Sequence, residues 1–109
     1  MTPRKDLLPG TLDMLVLKTL SLQSMHGYAI ARQIERVSDD VLRIEEGSLY
    51  PALQRMRQKG WIKADWRQTP NNQKARYYTI TTSGRKQLGH EEAGFAEMLA
   101  AIGRVMSVK

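Results

Sequence analysis

Apolar residues recur at helical spacing from Leu12 through Leu15 and Val16 to Leu20, directly after Pro9-Gly10-Thr11, and this pattern predicts a first helix. Met14, Leu17 and Leu22 fall on a second side, so this helix is expected to serve two interfaces. Ile30, Ala31 and Ile34 mark a second helix, which begins near His26-Gly27 and ends before the acidic turn Ser38-Asp39-Asp40. Val41, Leu42 and Ile44 predict a short strand. A third helix is expected from Gly47 to Lys59, with Ser48 near its cap, Pro51 within the first turn and Gly60 as the stop.

Beyond Gly60 the period changes from helical to alternating. Ile62, Ala64 and Trp66 share one side of a segment that runs to Arg67, and Arg76-Tyr77-Tyr78-Thr79-Ile80 is rich in strand-forming types. The polar stretch 68–74 between them predicts a β-hairpin with a flexible basic tip. Thr81 or Thr82 then caps a long final helix, in which Gly84, Gly89, Gly94 and Gly103 lower the intrinsic helicity. Three helices followed by a hairpin is the order of a winged helix-turn-helix domain, whose third helix enters the major groove while the hairpin flanks it. The expected fold is therefore α+β and mainly helical. Residues 1–81 are expected to form the winged helix-turn-helix part and 82–109 a C-terminal dimerisation helix belonging to the same unit.

Composition narrows the setting. A chain of 109 residues with 41% hydrophobic content encloses one modest core. It has no cysteine, so neither a disulfide framework nor a thiolate metal site is expected. No apolar run reaches the roughly 18 residues of a membrane span, and MTPRKDLLPG does not read as a secretory signal. A cytoplasmic protein with no membrane partner is the expectation. Net charge is +6, and its distribution is uneven: residues 51–86 carry nine basic side chains against the single acid Asp65, while the rest of the chain is slightly acidic. A positive field confined to one third of the chain suits a polyanion.

The third helix supplies matching chemistry. Leu49, Leu53 and Met56 fall on one face, and Ser48, Tyr50, Gln54, Arg55, Arg57 and Gln58 lie wholly or partly outside it. Arginine pairs bidentately with guanine and glutamine with adenine, and Ser48 and Tyr50 stand where a helix start favours phosphate. An apolar outer face, which a winged-helix protein-interaction module without DNA specificity would need, is absent. Catalysis finds no support: His26 and His90 are the only histidines, Ser48 and Ser83 have no neighbouring base, and no Gly-rich phosphate loop occurs. Neither an enzyme, a cofactor nor a metal is expected. His26 is expected to cap or pack the second helix. Trp61 and Trp66 offer stacking surfaces for an aromatic ligand, although tryptophans in a wing strand ordinarily fill the core or pair across strands.

Leu7-Leu8-Pro9-Gly10-Thr11-Leu12-Asp13-Met14-Leu15-Val16-Leu17, His26-Gly27-Tyr28, Glu46-Gly47-Ser48-Leu49-Tyr50-Pro51-Ala52-Leu53 with Gly60-Trp61-Ile62, and Arg76-Tyr77-Tyr78 with Thr81 and Gly84-Arg85 resemble PadR-like regulators. The resemblance covers about residues 7–88, and Tyr-Pro at the start of a recognition helix is its most specific element. It implies a dimeric repressor of transcription on a double-stranded DNA operator, with repression relieved by a small aromatic effector. By position it assigns Tyr28, Ser48, Tyr50 and Pro51 to the DNA-facing second and third helices and Lys74 and Arg76 to the basic wing. The short C-terminus resembles the compact branch of the family, with one terminal helix.

Leu88, Phe95 and Ile102 are spaced by sevens, Met98 and Val105 form a second row, and Leu99 and Met106 widen the stripe. A final helix of about 26 residues would extend roughly 40 Å, longer than so small a domain needs. Its stripe is therefore expected to meet another subunit, with the first helix, including Leu12, as its partner. Met14, Met98 and Met106 are expected either to line an adaptable pocket between subunits or to fill the core.

Overall fold

Helical structure begins at Thr11, directly behind Gly10, in a computed structural model that describes residues 10–109. Leu7, Leu8 and Pro9, which contribute to the resemblance, lie outside the described residues. Helix α1 (Thr11–Leu22) buries Val16, Leu17 and Leu20, while Leu12, Met14 and Leu15 pack partly against the same core. The expected second helix is α2 (Gly27–Val37), and the imidazole of His26 caps it, with Nδ1 accepting from the Ala29 amide at 3.2 Å.

Helix α3 (Glu46–Gln58) departs from expectation at its start. Its N-cap is Glu45, which makes no side-chain capping bond, and Ser48 is the third helical residue, its amide bonded to the Glu45 carbonyl at 3.0 Å. Pro51 sits in the second turn rather than the first, where it removes the helical bond to the Gly47 carbonyl. Burial of Leu49, Ala52, Leu53 and Met56 holds the helix despite that loss. Gly60, at a φ of +77°, ends it as expected.

The strand expected at residues 41–44 does not form. Asp39 and Asp40 both turn at positive φ, and Leu42 makes only an isolated bridge. The sheet takes its third strand instead from β1 (Met25–His26), which pairs antiparallel with β3 (Lys74–Ile80), and β3 pairs in turn with β2 (Ile62–Gln68). Two residues between helices carry no readable alternation, which is why this strand escapes a sequence reading. Register brings Ile62 opposite Ile80 and Ala64 opposite Tyr78 over the core, and Trp66 opposite Arg76 further out.

Helix α4 (Thr82–Met106) starts on a firm footing. The Thr81 hydroxyl accepts from the Gly84 amide at 3.0 Å and lies within bonding distance of the Gly60 and Trp61 carbonyls. A Cβ at position 84 would come within 2.0 Å of the Trp61 carbonyl oxygen, so Gly84 serves close approach between α4 and the start of β2. Leu88 is buried in the core. At about 1.5 Å per residue the 25-residue helix spans about 37 Å, and it carries the molecule to a longest dimension of 58 Å. No helix among the described residues is long and apolar enough to cross a membrane.

Candidate nucleic-acid interface

With its apolar face in the core, α3 presents Gly47, Pro51, Gln54 and Gln58 along one exposed line, at spacings of four, three and four residues. Tyr50 and Arg57 flank that line on one edge, and Ser48 and Arg55 on the other. The face is polar and carries no large apolar side chain at its centre.

The loop before α3 is clamped by two residues that the sequence reading did not single out. Glu35 is buried, and its Oε2 accepts from the Ile44 amide at 3.0 Å while its Oε1 pairs with Arg32 at 3.3 Å. The Ser38 hydroxyl donates to the Glu35 carbonyl at 3.0 Å and accepts from the Leu42 amide at 3.1 Å. The turn between α2 and α3 is thereby tied to α2, which fixes where α3 begins. A carboxylate beside Ala31 and Ile34 on the apolar side of a helix, with serine three residues on, was the available signal.

Tyr50 bridges α2 and α3. Its ring lies over Gly27, where a Cβ would meet Cε1 at 2.8 Å, yet the residue remains 45% exposed. Burial, with Glu46 and Tyr78 adding to it, pushes the phenol above its ordinary value of 10.0, so Tyr50 remains a neutral hydroxyl able to donate to an anion. Tyr28, next after Gly27 in the chain, is 61% exposed. From there an open groove of about 670 Å³ runs along α2 past Arg32 and Arg36 to Asp39.

Arg55 is engaged sideways. Its guanidinium bonds the Asp13 carboxylate of α1 at 2.6 Å, so in this conformation it braces α3 against α1. Arg57 donates to the Gln54 amide oxygen at 2.9 Å, orienting a side chain on the central line. In the wing, Lys74 is exposed at the tip and Arg76 half-buried. Arg67 lies on the opposite face, paired with Asp65 at 2.9 Å and over the Tyr77 ring. The two tryptophans divide between the expected alternatives: Trp61 packs against the core with the Lys59 ammonium over its ring, whereas Trp66 pairs across strands with Arg76 and is 68% exposed. The wing outruns the core after Ala64, and among the described residues nothing covers the next position on that face.

The seam residues divide. Leu88 belongs to the core and Leu12 packs partly against it, whereas Phe95, Met98, Leu99, Ile102, Val105 and Met106 are exposed. Of the three methionines, Met14 packs partly against the core, and Met98 and Met106 are free of it. Among the described residues no group of three or more histidine, aspartate or glutamate side chains is arranged to hold a metal ion.

Residues 16–90 match the model of the transcriptional regulator PadR-like family. The chain belongs to that family. Among solved structures, this PadR-like chain is similar to a transcriptional regulator from Clostridium thermocellum, with a TM-score of 0.81 and 27% identity over 92% of this chain and 95% of that one. It is also similar to a PadR family transcription regulator from Clostridium difficile, with a TM-score of 0.78 and 26% identity over 90% of this chain and 100% of that one. A protein of Lysinibacillus sphaericus is 29% identical over 94% of each chain. The winged helix fold with a long final helix is common to these PadR-like structures, and it is the fold of a DNA-binding regulator.

Proposed function

We propose that this PadR-like chain is a cytoplasmic, sequence-specific repressor that binds a palindromic operator as a homodimer and is released by a small aromatic effector. The observation that carries the reading is the exposed polar face of α3 beside a cationic wing, with the cations of both inside the segment of residues 51–86 that holds the whole positive excess. Gln54 at the centre of α3 has the amide that reads adenine, and Ser48, Tyr50 and Tyr28 ring it with hydroxyls suited to phosphate. Pro51 keeps backbone close to the duplex, Lys74 and Arg76 neutralise phosphate from the wing, and Arg55 reaches DNA on leaving Asp13. The exposed stripe of α4 supports pairing with a second copy, which sets two recognition helices on two half-sites. An apolar groove of about 240 Å³ between Met14, Leu15 and Phe95 is the place for an effector to act on that pairing.

Selection of bound fragments from random duplexes tests the proposal, followed by a salt titration of the enriched sequence. A two-fold symmetric motif, with affinity falling steeply as counterions are released, is the expected result. No duplex binding at low salt overturns the reading, and an asymmetric motif overturns the dimer on its operator.

A further inference from the structure

We propose that Trp66 is a DNA-contacting residue, its indole lying against the sugar edge of the duplex beside the base pairs read by α3. This rests on the DNA-binding reading above. Strand parity places the residue. Ile62, Ala64 and Trp66 share a face of β2, opposite Ile80, Tyr78 and Arg76 on β3. The first two pairs pack inward, Ile62 and Ile80 buried, with Ala64 against the core and Tyr78 buried. The third pair continues the same face past the edge of the core, on a strand that packs against α3. Trp66 therefore projects from the core-facing side of that strand, 68% exposed.

Charge selects the occupant. Across from Trp66 is Arg76, and the next pair out is Gln68 with Lys74. The only acid of the wing strands, Asp65, lies on the opposite face and is held by Arg67. The Trp66 face thus combines one large aromatic surface with cations and no carboxylate. A second copy of this face would be repelled by the same cations, whereas a duplex offers phosphates to Arg76 and Lys74 and, between them, an apolar deoxyribose edge for the indole. Division of labour follows: Lys74 and Arg76 supply salt-dependent affinity and Trp66 a contact that salt does not screen.

In a Trp61→Phe protein Trp66 is the only tryptophan, so its emission and its quenching by acrylamide are read as duplex is added. Protection by operator, and in lesser degree by scrambled duplex, is expected, together with operator binding about tenfold weaker for Trp66→Ala at an unchanged salt slope. Trp66→Phe should keep most of the affinity. Should Trp61→Phe fail to fold, the parent and Trp66→Phe are compared instead, and the emission change on adding duplex should vanish in the latter. A duplex that binds while Trp66 stays freely quenchable overturns this inference and leaves the DNA-binding reading standing. Protection already complete without DNA also overturns it, pointing to a second copy over the wing. A parent that binds no duplex removes both.

Discussion

The wing with α3 and the outer half of α4 are both left open by the fold, but in opposite chemistries. From Arg55 to Lys86 the exposed side chains are mostly cations and amides, carried on elements anchored in the core through α3 and the start of the wing. From Phe95 to Met106 the exposed side chains on one side of α4 are apolar, on a helix whose neighbours in the chain are α1 and β3. The first region suits the proposed polyanion, and the second suits the proposed pairing with a second copy. They join at the base of α4, where Gly84 meets Trp61 and Glu91 lies near Asp13, the partner of Arg55.

The largest effect should come from breaking the apolar half alone. Phe95→Asp together with Ile102→Asp would bury carboxylates in the proposed interface, so light scattering should report monomers. Operator affinity should fall by about 100-fold or more, because the second half-site is no longer bound within one assembly. Circular dichroism should remain that of the folded domain, since neither side chain belongs to the core. A stable dimer in this variant would place the interface elsewhere.

Next in size is the junction. Gly84→Ala sets a methyl against a backbone carbonyl that cannot swing away, and a loss of about 2 to 3 kcal/mol in urea unfolding is expected. Gly89→Ala, with open space around the new methyl, should instead stabilise the helix by up to about 1 kcal/mol. Equal effects of the two would mean that α4 is not anchored on Trp61.

These two glycines show what a sequence can and cannot convey. Periodicity located all four helices and the hairpin because each carries an apolar face, buried or not, and such a face writes itself into spacing. The Thr81 and His26 caps and the Gly60 stop were legible because capping chemistry is local. Contacts between distant segments left no such trace. Gly84 read as a weak helix residue, although its role is to admit Trp61, and Glu35 drew no notice, although it holds the Ile44 amide. Strand β1 was missed because two residues are too few to show a period, and Trp66 because alternation reveals a face but not where the core beneath it ends. Around the proposed interface, the outward set on α3 was legible, but the tie from Arg55 to Asp13 spans 42 positions and was not.

Within the polar half, α3 and the wing should separate by the kind of affinity lost. Tyr50→Ala should cost about 1 to 3 kcal/mol on operator and little on scrambled duplex. Lys74→Ala and Arg76→Ala should weaken both duplexes alike and lower the salt slope by about one unit per phosphate contact. Salt titrations of each variant on both duplexes give the two numbers. A Tyr50→Ala protein that binds operator like the parent would move the recognition surface away from the α2–α3 junction.

The smallest effect probes the seam between the halves. Glu91 lies on the same side of α4 as Leu88 and Phe95; its Oε1 accepts from Gln87 at 3.4 Å, and its Oε2 is buried with no hydrogen-bond partner among the described residues. Burial pushes its carboxyl above the ordinary 4.5; the Gln87 bond opposes this, Asp13 adds to it and Lys59 opposes it. A raised pKa in the folded state means that folding favours the protonated acid, so the charged form carries a penalty that is absent below the unfolded value of 4.5 and complete above the folded one. Glu91→Gln keeps the shape and removes the charge. It should therefore stabilise the protein by less than about 1 kcal/mol at neutral pH, and the gain should shrink toward zero as pH falls to about 4. Urea midpoints of parent and variant across that range measure it. A Gln variant less stable than the parent at neutral pH would mean that the Glu91 carboxylate finds a cation in the assembled dimer, which would bring the second copy down to the junction itself.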